Sequence, residues 1–377
     1  MLNRRRGMVQ AIQGTYGKVQ ELVIQVDGKL VPGINYRTLG EDVYPGDLVE
    51  INTTAVDLGL GTGGVHFVIS RLISKEGQSS EECRGPGEES EELSGALGHI
   101  MKLRYTPLQL AVPCVEEEDS PYHEVLQAAD SLEGMPVMVA SLHSLIAPIA
   151  VVLQCNVPKG LHLTYIMTDG AALPLGFSRL VASMQKQGFI SSTITVGHAF
   201  GGDLEAVNIY SGLLAARHVL KADAAIVAMG PGVVGTATPF GTTALETATI
   251  LDGVNVLEGK AIAVPRVSFA DLRPRHYGIS HHTLTALGKL CYSKCYCALP
   301  TLLGEEYAVL QRQSQSAELS RHDLVFVDQD HTLELLDEHH VKVTSMGRTP
   351  AEDPAFFRAG GAAGWLTAQW LCGNYPW

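Results

Sequence analysis

RPRHYGISHH, residues 273–282, sets Arg273, Arg275, His276, His281 and His282 on one short stretch that holds three of the chain's 14 histidines. Imidazole titrates near neutrality, so each of these histidines can serve as a general acid or base. Arg273 and Arg275 cannot give up a proton and offer paired N–H donors suited to a phosphate or carboxylate. Asp271, just ahead of them, can orient a histidine or neutralise an arginine. The stretch therefore predicts anion binding with imidazole-mediated proton transfer. A metal is not expected here, because zinc needs three or four converging ligands and adjacent His281 and His282 at a helix start do not easily both face inward.

GPGVVG, Gly230–Gly235, follows the apolar run AAIVAM and matches G-x-G-x-x-G. A dinucleotide fingerprint opens a helix at once, so that the pyrophosphate meets its N-terminus. Here TATPFG intervenes, and Thr243 with Glu246 reads as a capping box that starts the helix only afterwards. Thr236 and Ala237 stand where a nucleotide P-loop needs Lys and Ser or Thr. What remains is a loop in which Gly230, Gly232 and Gly235 expose backbone N–H groups beside the hydroxyls of Thr236 and Thr238. It is either a cradle for a phosphate or carboxylate or a place where chain passes close to chain.

Asp169 closes the apolar run LTYIMT ahead of Gly170, a position with little structural excuse for a carboxylate, and is expected to orient a ligand hydroxyl or a metal. VGHAFGGD adds His198 and Asp203 to the ligand-facing set, although Asp203 reads first as the N-cap of the next helix. CYSKCYC places Cys291, Cys295 and Cys297 close in sequence, but the spacing fits neither a zinc ribbon nor a ferredoxin. Helix-to-strand alternation sends Cys291 away from the other two, so buried thiols are expected. No G-x-S-x-G is present, which argues against a hydrolase elbow.

These residues need a scaffold, and the hydrophobic pattern supplies one. Residues 1–75 carry short Val- and Ile-rich runs (GMVQAIQ, KVQELVIQV, KLVPGINY, DLVEINTT, GVHFVISR) with Asp27-Gly28 set for a tight hairpin, a small β-rich, barrel-like domain. Residues 76–98, crowded with glutamates, read as an acidic flexible linker. Residues 99–377 alternate apolar runs with amphipathic stretches and read as an α/β domain. Candidate strands are 102–112, 137–142, 162–168, 193–197, 224–229, 260–267, 295–299, 323–327 and 341–345, with helices over 171–187 and 204–220 among them. Continuous apolar runs fit parallel strands covered on both faces. The expectation is an open, mostly parallel doubly wound sheet, preferred over a (β/α)8-type barrel because nine strands leave one to spare. Either fold delivers its ligand-binding loops at the carboxyl ends of the strands.

A formal net charge of −13 argues against a nucleic acid or an anionic membrane as partner, and leaves a small anionic ligand held by local fields. Nothing in the sequence fixes a cofactor, and a homo-oligomer stays open. Seven cysteines at irregular spacing fit a reduced, cytoplasmic compartment. MPVMVASLHSLIAPIAVVLQC, residues 135–155, approaches the length that spans a bilayer, yet its histidine, serines and prolines favour a buried strand followed by a buried helix.

MTDGAALPLGFSRL, GHAFGGDLEAV, GPGVVGTATPFG and PRVSFADLRPRHYGISHHTLTAL, in that order, resemble an uncharacterised bacterial family, domain of unknown function 3866, found in clostridia and actinobacteria. The resemblance spans nearly the whole chain and implies a bacterial cytoplasmic protein with a glycine usual where Ala237 stands. It implies no activity, cofactor or catalytic residue. On the residues alone the chain is expected to be a transferase or hydrolase acting on a small anionic metabolite, phosphorylated ones included. The alternative is a non-catalytic ligand-sensing or scaffolding protein.

Overall fold

A computed structural model of the chain describes residues 3–57, 64–73, 98, 100–103, 108, 110–158, 160–170, 174–315, 319–328 and 331–374. The expected acidic linker, 76–98, lies outside them apart from Gly98. Chain contacts divide the molecule into two compact units, one of residues 1–97 with 103–110, the other of 98–102 with 111–377.

In the first unit β1 (Arg4–Tyr16), β2 (Val19–Val26), β3 (Lys29–Tyr36), β4 (Leu48–Asn52) and β5 (His66–Ile73) close into a barrel in the order β1-β2-β3-β5-β4, with one helical turn, α1 (Thr54–Asp57), between β4 and β5. Alternation sends Leu22, Ile24 and Val26 of β2 inward against Val9, Val49 and Ile51. Asp27 and Gly28, at φ of 48° and 78°, make the hairpin that joins β2 to β3. Closure depends on β1, whose register shifts after Val9 and Ile12 let one long strand pair with both β2 and β4.

A separate two-stranded sheet of β6 (Ile100–Lys102) and β7 (Leu110–Val112, whose first residue is counted with the first unit) precedes α2 (His123–Ala128) of the second unit. Its main strands are β8 (Pro136–Ala140), β9 (Leu163–Thr168), β10 (Ser192–Val196), β11 (Leu204–Ala206), β12 (Ala224–Met229) and β13 (Lys260–Val264). A small antiparallel pair, β14 (Val267–Ser268) and β15 (Gly278–Ile279), precedes β16 (Tyr296–Pro300) and β17 (Asp323–Val327). The order β11-β10-β9-β12-β8-β13-β16-β17 is parallel throughout and open at both edges. The open sheet stands, with eight strands in place of nine. The described residues of 102–112 do not join it, 341–345 form only an isolated bridge from Ser345 to Arg348, and 260–267 ends as a strand of this sheet at Val264.

Helices α3 (Ile146–Cys155), α4 (Arg179–Lys186), α9 (Thr332–Glu338) and α10 (Pro354–Leu371) pack chiefly on one face; α5 (Ile209–His218), α6 (Glu246–Val256), α7 (His281–Thr285) and α8 (Gly304–Ser314) lie with the other. Strand periodicity explains the split. Ile226 and Ala228 of β12 join the core with α3 and α10, whereas Ala225 and Val227 join the core with α5 and α6. Full burial of each larger aliphatic chain stabilises by about 1.5–3 kcal/mol, which is why runs such as AAIVAM sit central in the order. The first connections run toward β11 on one face and the later ones toward β17 on the other, so the winding reverses around β9, β12 and β8. Loops leave that reversal in opposite directions at the strands' carboxyl ends, the position where open α/β sheets take their ligands.

The helix expected at 204–220 begins later. Leu204–Ala206 is instead the edge strand β11, and Asn208 caps α5 in a reciprocal pair with Ser211. Glu205, within β11, is buried with Lys102 at 3.3 Å, an ion pair no helical periodicity would reveal. The 135–155 stretch divides into β8 and α3 as its polar residues indicate, and no helix among the described residues is long and apolar enough to cross a membrane.

Candidate functional site

Segment 265–282 leaves the carboxyl end of β13 and folds back on itself. Pairing of Val267 with Ile279 and Ser268 with Gly278 closes the excursion, a single 3-10 turn over Pro274–His276 sits at its far end, and Ser280 caps α7 by accepting from His282 N–H at 3.3 Å. The closure brings His276, His281 and His282 together. The His276 ring lies 5.1 Å from each of the other two, those two are 4.2 Å apart, and one ring nitrogen from each falls within 4.8 Å of the others. This corrects the expectation that His281 and His282 could not both face inward: consecutive helix positions diverge by about 100°, and His276 arrives from the preceding turn to sit opposite both.

Burial sets their protonation. Loss of solvent, then the positive charge of Arg266 and Arg273, pulls His276 down to about 3. Burial and then the neighbouring His281 pull His282 down to about 4, and burial lowers His281 with Arg275 next in effect. All three imidazoles are thus neutral at neutral pH, able to accept a proton or to ligate a cation. His276 Nδ1 meets Ser280 Oγ at 2.7 Å, while His281 Nε2 is buried with no hydrogen-bond partner among the described residues.

Among the described residues Asp271 hydrogen-bonds through its side chain to the arginines and to no histidine. Its carboxylate accepts from Arg273 Nε at 2.8 Å and from the Arg273 and Arg266 guanidinium nitrogens at 2.7 and 2.9 Å, with Arg348 at 3.8 Å. Hydrogen bonding from Arg273, reinforced by the surrounding cations, holds Asp271 well below the usual carboxylate range. Arg266 is itself buried and lowered to about 10 by desolvation. The sequence does not single it out, because nothing along a chain distinguishes a buried arginine from an exposed one. Arg273 is committed to Asp271. Arg275 is exposed and has no ion pair or hydrogen bond among the described residues.

The glycine loop roofs this cluster. A Cβ on Gly235 would lie 3.1 Å from His282 Cε1, so a bare backbone is what lets loop and imidazole touch. Gly230 is buried at its root and Gly232 takes φ 114° on the way out. Thr236 and Thr238 spend their hydroxyls on each other and on Gly241, so the loop's polar groups serve largely to close it. The capping residue is Thr242, whose hydroxyl accepts from Ala244 N–H, and not Thr243, whose hydroxyl accepts from Val234 N–H at 3.0 Å. A cavity of about 10 Å³, room for one water, lies behind His282 beside Ser141 and Thr247.

Asp169 and His198 form a second group at the ends of β9 and β10. Asp169 accepts the His198 N–H at 3.1 Å and crowds Gly197, whose φ of 63° and missing Cβ make the approach possible. Beside them Thr168 donates to Glu246 at 2.7 Å, and burial, with Asp169 adding to it, pushes Glu246 up to about 7. The sequence pattern marks Glu246 only as a capping residue. Its alternative role shows there only as a carboxylate opening the helix that follows the glycine loop. His143, after β8, is half-buried, lowered to about 4 by desolvation, and pairs with Ser178 at 2.6 Å and Tyr165 at 3.3 Å.

Asp203 does not belong to this rim. The chain doubles back after β10 and Asp203 binds Thr193 N–H and hydroxyl at 2.8 and 2.9 Å, at the amino end of the strand, because a new parallel strand and not a helix follows it. The cysteines also depart from expectation. All three are buried, but Cys291 stays with Cys295, and His322 joins them.

A family model matches residues 32–364, and its description, Protein of unknown function (DUF3866), names no activity. No curated protein and no solved structure matches the chain.

Proposed function

The chain belongs to this family of unknown function, and from the geometry we propose that it is a transferase or hydrolase acting on a small anionic metabolite at the mouth above β12 and β13. One observation carries the reading. Three imidazoles kept neutral by burial converge beside Arg275, a guanidinium with no partner among the described residues, under a loop that touches His282. Arg275 makes the first contact with the anion, Arg273 adds the edge that Asp271 leaves, and the backbone of 230–235 lines the other side. His281, whose Nε2 is buried and unpartnered among the described residues, takes or gives the proton. Asp169 and Glu246, one group away around the rim, orient a substrate hydroxyl. A positive field and neutral bases together favour an anion over a cation at this mouth.

The test is a panel of small phosphorylated and carboxylated metabolites with the wild-type chain, together with crystals soaked in phosphate. Phosphate is expected against Arg275, with Arg275→Gln weakening it at least about tenfold, the loss of one charged contact. His281→Ala should abolish turnover and leave phosphate affinity within about threefold. Weakened binding with no turnover in either protein supports the ligand-sensing alternative, and phosphate settling at the amino ends of the strands overturns the site.

A further inference from the structure

Past the histidine cluster the chain gathers a second set of metal-competent groups. The π-helical turn Ala286–Leu290 ends at Cys291, Cys295 immediately precedes β16, and His322 immediately precedes β17, so two connections converge at the amino ends of two neighbouring parallel strands. Cys291 Sγ, Cys295 Sγ and a ring nitrogen of His322 lie within 4.8 Å of one another, all on buried side chains. Cys295 Sγ is 3.4 Å from His322 Nδ1. Two ligands of a tetrahedral zinc, at about 2.3 Å for sulfur and about 2.0 Å for nitrogen, stand roughly 3.5 Å apart.

The tautomer of His322 is assigned from its donors. Cys295 N–H approaches Nδ1 at 3.3 Å, and an amide can only donate, so Nδ1 carries the lone pair. At Nε2 the Leu287 carbonyl at 3.0 Å can only accept and Arg321 Nε–H at 3.3 Å can only donate; with Nδ1 already an acceptor, the shorter carbonyl contact places the proton on Nε2. A far-side N–H fixed by a backbone carbonyl, with the near nitrogen aimed at a thiol, is how metal-binding imidazoles are held. Asp252 of α6 accepts from Ser293 N–H at 2.7 Å and Tyr292 N–H at 3.1 Å, and stands 3.6 Å from Cys291 Sγ. It fixes the loop between the two cysteines and brings a carboxylate to the edge of the cluster.

We propose that Cys291, Cys295 and His322 bind one zinc ion as a structural centre, with Asp252 the carboxylate nearest to its fourth position. Soft thiolates with one imidazole select zinc over magnesium or calcium. On loading, each of the two thiols releases a proton to solvent and its sulfur lone pair forms the Zn–S bond; no electron is transferred. The ion ties the segment that carries His281 and His282 to the roots of β16 and β17.

Elemental analysis of the full-length chain, purified from zinc-supplied cells, should find about one zinc per chain. Replacing zinc with cobalt(II) should produce thiolate-to-cobalt charge-transfer absorption. Cys295→Ser and His322→Gln should each lower zinc affinity at least about tenfold. The double variant His281→Ala/His282→Ala should keep both the metal and the thiolate absorption, which separates this centre from the proposed catalytic mouth. The proposal is overturned if the wild-type chain neither holds zinc nor shows the thiolate absorption with cobalt, or if its metal survives Cys295→Ser and departs with His281→Ala/His282→Ala. Where a cysteine variant does not fold, the cobalt spectrum of the wild-type chain decides alone, since imidazoles and carboxylates give no thiolate absorption.

Discussion

Two triads of metal-competent side chains flank α7 and the π-helical turn, and they differ in almost everything except ligand spacing. His276, His281 and His282 lie at the carboxyl end of β13, surrounded by Arg266, Arg273 and Arg275. Cys291, Cys295 and His322 lie at the amino ends of β16 and β17, with Asp252 and the Leu287 carbonyl beside them. In both, the three ligand atoms fall within 4.8 Å. A divalent ion at the first would face three guanidinium groups, while at the second it would meet two ionisable thiols and the Asp252 carboxylate against one guanidinium, that of Arg321, 3.3 Å from His322 Nε2. Ligand geometry alone does not separate a cation site from an anion site; the charge of the next layer does.

The largest way to break this contrast is to remove the carboxylate that organises the cationic side. Asp271 is 3% exposed at its side chain and joins Arg266, 6% exposed, to Arg273. Asp271→Ala leaves Arg266 buried among like charges, an expected loss of roughly 3–5 kcal/mol in denaturant unfolding. Arg266→Met added to Asp271→Ala should restore most of that stability, because the uncompensated charge goes with it. A loss under about 1 kcal/mol from the single variant would mean that the arginines find other partners and that the cationic layer is not built around Asp271.

A smaller effect separates the imidazole mouth from its neighbouring carboxylate by the sign of its pH dependence. Folded His276 and His282 titrate near 3 and 4, below the ordinary imidazole value of 6.5, so the unfolded chain takes up protons first as pH falls. Stability that is whole above about 6.5 should decline toward pH 4. Glu246 is raised from 4.5 to about 7, so its neutral form is favoured by folding, and its contribution is whole below about 4.5 and lost as pH rises through 7. His276→Asn/His282→Asn should therefore flatten the rise in stability from pH 4 to about 6.5, and Glu246→Gln should remove an opposing fall between about 4.5 and 7, so the two variants change the slope in opposite directions. A tenfold change in proton affinity on folding corresponds to about 1.4 kcal/mol, an upper bound here because partial exposure screens these groups. If Glu246→Gln makes the slope of stability between about pH 4.5 and 7 less positive, the sign assigned to Glu246 is wrong.

The part of this arrangement that is legible in sequence is the part encoded by short-range pattern. Apolar runs such as LTYIMT, AAIVAM and KAIAV locate β9, β12 and β13, and the loops trailing them place Asp169, the glycine loop and the histidine segment on one rim. Three-residue β11 is too short for periodicity to show, so the pattern suggests a helix in its place and carries Asp203 to the wrong end of the sheet. Arg266, Glu246 and His322 escape the sequence for another reason. Each acquires its character from burial and from partners distant in sequence, as with Glu246 and Thr168 or His322 and Leu287. A regular helix ending between Cys291 and Cys295 would part them, whereas a π-helical turn ends at Cys291 and keeps it in register.

The smallest expected effect concerns Ala237, which holds φ 65° in the glycine loop that roofs the histidine triad. An L-residue in this region costs roughly 1 kcal/mol or more, and the family resemblance implies glycine at this position. Ala237→Gly removes that strain but adds unfolded-state freedom of about 0.4–1 kcal/mol, so the two effects nearly cancel. Thermal unfolding should therefore shift by less than about 0.5 kcal/mol equivalent, while Ala237→Val, β-branched at the same φ, should destabilise by more than about 1 kcal/mol. The informative reading is phosphate affinity in the glycine variant. If the loop lines the anion as proposed, loosening its far arm should weaken phosphate binding without weakening cobalt binding at Cys291 and Cys295. A change shared equally by both sites would show that the two triads are not independent, and the contrast between them would then belong to a single coupled element.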